Sequence, residues 1–218
     1  MVEIKNLFFT YGQENAFTLS IKELSIQKGE QCCLIGPSGS GKTTLIKLIA
    51  GIYKPDKGKI SISNIEINYC NEKIMREFRL KNIGLVFQDF CLLDYCDVND
   101  NILLPFYLSK NLKINARINE HIQTLLEIFH ISDKKHTSVL HLSQGEKQRV
   151  AIARALITRS QVLLCDEATG NLDPETAHSV LEHILSVSDH FTTTLLFITH
   201  NMGFTDHFSR IIDMKELN

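Results

Sequence analysis

A glycine-rich stretch near the N-terminus carries residue types that bind phosphate. It fits the pattern Gly, four free positions and then Gly-Lys-Thr. Converging backbone amides in such a loop bind phosphate oxygens, and the N-terminus of a following helix adds partial positive charge. Lys42 would reach the β- and γ-phosphates of a nucleotide, and the Thr43 hydroxyl would bind Mg²⁺. The stretch consists of Gly36, Pro37, Ser38, Gly39, Ser40, Gly41, Lys42, Thr43 and Thr44.

The residues around this stretch distinguish a phosphate loop from an ordinary glycine-rich turn. The apolar run Gln31–Ile35 predicts a short strand directly before it. The spacing of apolar residues over 42–50 predicts a helix directly after it, and Gly51 is placed to end that helix. The pattern therefore has the strand, loop and helix context that phosphate binding requires.

Polar residues directly follow three further apolar segments that read as strands. Gln88 follows the first, Asp166 and Glu167 follow the second, and His200 follows the third. Ligands bind outside the carboxyl ends of parallel strands, so we expect these four residues to share one site with the phosphate loop. The segments are 83–87, 162–165 and 194–199.

Each of these polar residues has a chemical role open to it. Asp166 suits a water-mediated contact with Mg²⁺, and Glu167 is placed to be the general base for an attacking water. Gln88 could bind Mg²⁺ or position that water, and His200 could act beside the phosphate. A solvated acidic pair at a strand end and a histidine that caps a helix are the structural alternatives.

Residues 142–146, Leu-Ser-Gln-Gly-Glu, open another predicted helix. Ser143 and Glu146 have the spacing of a capping box, which is the structural interpretation. The functional interpretation is that this helix N-terminus, with Ser143 and Gly145, binds a γ-phosphate. Because the chain already has one helix N-terminus at its phosphate loop, a second one suggests a partner subunit.

These elements predict an α/β fold with a mainly parallel core sheet flanked by helices. Residues 2–35 read as β-rich and include an N-terminal antiparallel β region. The pattern turns helical from 89 to about 157, which predicts a helical subdomain. Apolar spacing places helices at 98–108, 116–129 and 146–157 in this subdomain. Further predicted elements are helices at 72–81 and 174–188 and a last strand at 210–215. We expect a single domain over residues 1–218.

Composition excludes several classes of protein. A net charge of −2 gives no electrostatic basis for binding nucleic acid. The six cysteines form no Cys-x-x-Cys pair, which favours reduced, packed thiols in a cytosolic protein over a zinc or disulfide site. No run approaches the length of a membrane span, and no targeting segment opens the chain.

The residues above together resemble the ATP-binding-cassette (ABC) ATPases, and the resemblance covers essentially the whole chain. The phosphate loop matches the Walker A motif, Gln88 the Q-loop and His200 the switch histidine. Residues 142–146 (Leu142, Ser143, Gln144, Gly145 and Glu146) match the signature motif, 162–167 the Walker B motif and 170–173 the D-loop, which contains Asn171. Tyr11 matches the aromatic residue that stacks on adenine, with an ordinary turn tyrosine as the alternative.

The resemblance implies a P-loop ATPase of ABC type with ATP and Mg²⁺ as cofactors. Two such subunits, expected to be a homodimer, would face head to tail, with ATP between the Walker A loop of one and the signature motif of the other. An integral membrane permease would receive the motion, and the chain would lie in the cytoplasm at the inner face of the cell membrane. The candidate contact is residues 88–115, in which Phe90, Leu92, Leu93, Tyr95 and Phe106 could instead fill the helical core.

Residues 169–173 and the pair Leu104-Pro105 resemble the lipoprotein-release, macrolide-export and FtsE-type subgroup. One alternative to transport is therefore an FtsE-type ATPase that signals to cell-wall enzymes. A second, from another class, is a nucleotide-binding regulatory subunit with little turnover, and the presence of Lys42, Asp166, Glu167 and His200 argues against it. The sequence departs from the usual signature at Gln144, where glycine is common, and at Glu146, where glutamine is common. Ala168 stands where proline usually follows the catalytic glutamate.

Overall fold

The computed structural model describes residues 1–12, 17–170 and 172–217. Within these residues the chain forms nine strands and seven α-helices. The strands are β1 (Val2–Thr10), β2 (Thr18–Ile26), β3 (Gln31–Ile35), β4 (Lys57–Ile62), β5 (Ile65–Glu66), β6 (Ile83–Val86), β7 (Val162–Asp166), β8 (Thr194–Ile198) and β9 (Arg210–Asp213). The helices are α1 (Lys42–Ile49), α2 (Glu72–Asn82), α3 (Val98–Leu108), α4 (Ala116–Ile128), α5 (Gln144–Leu156), α6 (Pro174–His190) and α7 (Met214–Leu217).

A five-stranded parallel sheet of order β6-β7-β8-β3-β9 forms the centre of the molecule. Every residue of β7 and β8 is buried. Strands covered on both faces read as nearly continuous apolar runs, which is why the sequence identified them. The carboxyl ends of β3, β6, β7 and β8 lie at one edge, so the predicted convergence of strand ends is confirmed.

A second, antiparallel sheet of order β2-β1-β4-β5 packs against the parallel one. Its inward side chains share one apolar core with α1 and with one face of the parallel sheet. The predicted antiparallel β region is confirmed. Strand β5 was not predicted, because a segment of two residues is too short to show alternation.

Helices α3, α4 and α5 lie between β6 and β7 in the chain. Together with α6 and the other face of the parallel sheet they enclose a second apolar core. Asn101 on α3 is fully buried there. Its side-chain oxygen accepts a hydrogen bond from the Leu93 amide at 2.8 Å, and its amide nitrogen donates to the carbonyls of Leu93 at 3.1 Å and Asp97 at 3.0 Å. These bonds satisfy polar backbone groups at the end of the loop that follows Gln88.

The C-terminal end departs from the prediction of a strand over 210–215. Strand β9 ends at Asp213, and Met214 begins the short helix α7. Met214 is fully buried and packs beside Gly36, so tertiary contacts decide its conformation. A short apolar run does not distinguish a strand from a buried helical turn.

The six cysteines are all free thiols. Burial raises the pKa of Cys33 to about 11 and that of Cys32 to about 12, and both thiols pack in the core. In the described part of the chain, no helix is both long and apolar enough to cross a membrane.

The stability of the helical region should depend on pH through His121 on α4, whose side chain is buried. Burial lowers the pKa of His121, and Arg159 lowers it further. The unfolded chain therefore takes up this proton at higher pH than the folded chain does. Stability is then fully present above the unfolded pKa of about 6.5 and is lost as pH falls from there toward the folded pKa.

We expect His121→Leu to flatten the decline in unfolding free energy on acidification, by at most about 1.4 kcal/mol per pH unit. Urea unfolding at about pH 7.5 and about pH 5.5 measures this slope. Burial also lowers the pKa of His183, so His183→Leu provides an independent second variant. If neither substitution changes the slope, neutral burial of these imidazoles does not limit acid stability.

Candidate active site

The loop between β3 and α1 has the geometry of an anion-binding nest. Gly41 precedes α1 in a left-handed conformation, with φ of 97°. A Cβ at this position would lie 2.6 Å from Cζ of Phe17. Both the backbone conformation and the close ring therefore require glycine. The first amides of α1 consequently point toward the loop, where phosphate oxygens would lie.

Lys42 is the first residue of α1, and its side chain turns back over the loop. Its Nζ donates hydrogen bonds to the carbonyls of Gly36 at 2.8 Å and Pro37 at 3.0 Å. The Ser40 amide donates to the Pro37 carbonyl at 3.2 Å, which closes the turn. Burial lowers the pKa of Lys42, and the carboxylates of Glu167 and Asp166 act in the opposite direction. The ammonium group of Lys42 is thus held between the loop and the ends of the strands.

Asp166 is the last residue of β7, and its side chain lies against Thr43. Burial raises the pKa of Asp166, and a hydrogen bond with the Thr43 side chain lowers it. Thr43, Gln88 and Asp166 line one cavity of about 580 Å³, together with Lys47. A hydroxyl, an amide and one carboxylate at one place are oxygen ligands of the kind that Mg²⁺ takes alongside phosphate. The residues present therefore fit the predicted metal.

Glu167 and His200 meet beside the phosphate loop. The Nε2 atom of His200 lies 2.5 Å from Oε1 of Glu167. Glu167 has a φ of 51°, a left-handed conformation that is rare for a residue with a side chain. Its amide donates to the carbonyl of Ile198 at 3.2 Å, which fixes this backbone to the end of β8. Strain of this kind is concentrated at functional sites.

Aromatic side chains form the opposite end of the site. The Tyr11 hydroxyl lies 3.0 Å from Oγ1 of Thr44. The Tyr11 ring packs edge-on against Phe9, with centroids 5.1 Å apart, and against Tyr53, with centroids 5.8 Å apart. Tyr11 nevertheless keeps 46% of its surface exposed, so one part of it remains open to a ligand.

One cavity of about 340 Å³ joins the aromatic end to the phosphate loop and the Glu167–His200 pair. Five of the residues that line the two cavities were not predicted as site residues. Phe17 lines this cavity, and Lys47, Phe87, Asp89 and Cys91 line the cavity at the Asp166 edge. Lys47 follows Thr43 by four positions and so shares its helix face, a signal that could have identified it. Phe17 has no comparable signal. The lining residues are Tyr11, Phe17, Ser38, Gly39, Gly41, Lys42, Thr43, Thr44, Glu167 and His200.

The segment 142–146 is not brought to this cavity within the described chain. Ser143 caps α5, and the capping box is present. The Ser143 amide donates to Oε2 of Glu146 at 2.7 Å, and the Glu146 amide donates to Oγ of Ser143 at 3.3 Å. Ser143 and Gln144 are exposed, and Gly145 is half-buried. The predicted D-loop residue Asn171 lies outside the described residues.

Comparison with known proteins gives one family. The family model described as ABC transporter matches residues 19–170. The chain is 42% identical over 205 residues to a methionine import ATP-binding protein, MetN, of Clostridioides difficile. The aligned region covers 93% of this chain but only 61% of that relative's length. The chain is 38% identical over 222 residues to YvcR, an uncharacterised ABC transporter ATP-binding protein of Bacillus subtilis, with 99% of this chain and 84% of the relative covered.

Solved structures give the same result. Dimeric structures of the ATP-binding cassette MJ0796, one of them bound to ADP and Pi, superpose with a TM-score of 0.86 at 29% identity. The match covers 98% of this chain and 94% of the other. The predicted ABC-type fold is thereby confirmed, while the narrower subgroup stays a prediction. With the phosphate loop, the strand-end carboxylates and this similarity in hand, we conclude that the chain is an ATP-binding cassette of the ABC transporter family.

Proposed function

We propose that this chain binds ATP with Mg²⁺ and hydrolyses it as one of two cassettes that drive an integral membrane permease. The observation that carries the proposal is the convergence of Lys42, Asp166 and the Glu167–His200 pair on the phosphate loop. A cation, a metal-binding carboxylate and a general base are the groups that phosphoryl transfer to water needs.

At the γ-phosphate, Lys42 neutralises charge and Glu167 takes the proton of the attacking water. The 2.5 Å contact with Nε2 of His200 orients the Glu167 carboxylate, and it also places the imidazole beside the transferred group. Catalysis of this kind consists mainly of positioning and electrostatic stabilisation.

Thr43, Gln88 and Asp166 would hold Mg²⁺, with Thr43 binding it directly and Asp166 acting through water. When bound, the metal neutralises the charge on the β- and γ-phosphates. In the described residues, no three His, Cys, Asp or Glu side chains are grouped so as to hold a metal by themselves. A site of this type therefore depends on the oxygens of the nucleotide, which is typical of Mg²⁺.

The second half-site comes from the partner cassette. Ser143, Gln144, Gly145 and Glu146 lie at the start of α5, away from the nucleotide cavity of the same chain. The Ser143 oxygen already accepts the bond of the capping box, so its hydroxyl hydrogen remains to donate to a γ-phosphate across the interface. ATP would bind the closed dimer more tightly than the open one and so drive closure.

The permease would bind beside α3. Of the predicted contact residues, Phe90 and Phe106 are buried in the core of the helical region, whereas Tyr95 is 86% exposed. An apolar groove of about 350 Å³ lies next to the segment that follows Gln88, and this groove is the better candidate. Its walls include Leu80, Leu85, Phe87, Leu104, Pro105 and Leu108. Bound there, the cassette would lie at the inner face of the cell membrane.

The test is affinity purification of the tagged full chain from detergent-solubilised membranes, followed by phosphate release from ATP and Mg²⁺. We expect an integral membrane protein in stoichiometric amount and steady turnover in the complex. A complex that binds ATP without releasing phosphate would instead favour the regulatory subunit. Recovery of cell-wall enzymes with the complex would favour the FtsE-type role.

A further inference from the structure

The segment directly after Gln88 has an unusual backbone. Phe90 and Cys91 are consecutive residues in the left-handed region, with φ of 58° and 47°. This region is unfavourable for a residue with a Cβ, and two such residues in succession persist only where their surroundings impose them. The Phe90 amide donates to the Phe87 carbonyl at 3.0 Å, so a tight turn encloses Gln88 itself.

Arg154 on α5 holds this turn. Its Nη1 donates to the Cys91 carbonyl at 2.6 Å, and its Nη2 donates to the Phe90 carbonyl at 2.5 Å. The planar guanidinium presents two donors in a fixed fork, which suits two adjacent carbonyls, whereas a lysine ammonium is a single point charge. Asn101 fixes the other end of the same loop through Leu93.

Arg154 also connects this turn to the rest of the machinery. Cys91 lines the cavity that contains Thr43, Gln88 and Asp166, so a shift of the turn would change the position of Gln88 relative to the other two. Arg154 lies on the same continuous helix whose N-terminus is capped by Ser143. A single rigid element therefore carries both the half-site for the partner's nucleotide and the contact that fixes the chain's own Gln88.

We propose that Arg154 is a positioning residue for the metal edge of the active site, acting through the turn at residues 89–91. The inference rests on the proposed function, because it takes Gln88 to serve the nucleotide and its Mg²⁺. Arg154 contacts neither the nucleotide nor the Mg²⁺. It would determine where the Gln88 side chain lies when the two cassettes close, so that a movement of α5 also moves Gln88.

The test compares Arg154→Met, Arg154→Lys and the matched control Arg79→Met in the full chain. Arg79 also donates to two backbone carbonyls, those of Ala50 and Gly51, and it lines the groove beside α3 as Arg154 does. Its two bonds lie at the end of α1 remote from the phosphate loop, so the control separates an effect on the groove from an effect on the turn. We expect Arg154→Met to lower kcat roughly 10- to 100-fold, with the KM for ATP changed less than about threefold, and to raise the Mg²⁺ concentration needed for half-maximal turnover. Arg154→Lys should recover only part of the loss.

A second measurement does not depend on turnover. Hydrogen–deuterium exchange of the nucleotide-free chain should show faster exchange of the amides of residues 89–92 in Arg154→Met, with the amides of β7 and β8 unchanged. Arg79→Met should leave the 89–92 amides as in the wild type. Equal loss of turnover in both methionine variants, or unchanged exchange at 89–92 in Arg154→Met, would overturn the inference. Absence of turnover in the wild-type complex would instead overturn the proposed function. In that case the exchange rates of the 89–92 amides alone would test whether Arg154 positions the turn.

Discussion

Glu167→Gln should abolish steady ATP turnover and trap two cassettes around bound ATP. The amide keeps the size of the side chain and can still accept a hydrogen bond from Nε2 of His200, which lies 2.5 Å from Oε1 of Glu167. It cannot take a proton from water, and loss of such a base typically costs ~10²–10⁴ in rate. Removing one negative charge beside the γ-phosphate should also tighten the ATP-bound state.

Two measurements on the purified full chain check this expectation. Phosphate release gives kcat, and size-exclusion chromatography with light scattering in ATP and Mg²⁺ gives the mass. Glu127→Gln, an exposed change on α4, is the matched control and should keep wild-type turnover. A Glu167→Gln protein that stays monomeric at saturating ATP, or that hydrolyses ATP at the wild-type rate, would contradict the proposed roles of Glu167 and of dimer closure.

Lys42→Ala should weaken phosphate binding and remove turnover. The Lys42 Nζ bonds to the Gly36 and Pro37 carbonyls, at 2.8 and 3.0 Å, keep a positive charge over the loop before ATP arrives. Loss of one preorganised electrostatic contact to a transition state typically costs ~10²–10³ in kcat. Because Lys42 would contact the phosphates in both the ground state and the transition state, nucleotide affinity should fall as well.

The loop bonds of Lys42 make folding the first point to check. Thermal unfolding without nucleotide should show a folded Lys42→Ala protein, because only one side chain that contacts the loop is lost. Titration with a fluorescent ATP analogue then gives the nucleotide affinity. Lys81→Ala, an exposed change on α2, is the control and should keep the affinity and turnover of the wild type. Hydrolysis by Lys42→Ala at the rate of Lys81→Ala would exclude the phosphate-binding role.

Several parts of the fold followed from the sequence because each rests on a local rule. Helix α3 was predicted over 98–108, as it is observed, because its apolar spacing is regular. The end of β9 was not predicted correctly, because it depends on the burial of Met214 beside Gly36, which is a contact between distant segments. The loop at Phe90 and Cys91 was likewise absent from the sequence prediction. Its left-handed backbone is stabilised by Arg154, more than 60 positions further along the chain.

The sequence by itself determined which chemical groups the chain carries and the local geometry of each. The spacing of Gly36 to Thr43 specifies a phosphate loop, and that of Ser143 and Glu146 a capping box, because both depend only on backbone conformation within a few residues. Only the tertiary structure decided which groups meet. The strand order β6-β7-β8-β3-β9 is not the order of the chain, and it is this order that places Glu167 at the end of β7 against His200 after β8. Pairing between distant segments depends on packing across the whole core, which local spacing does not encode.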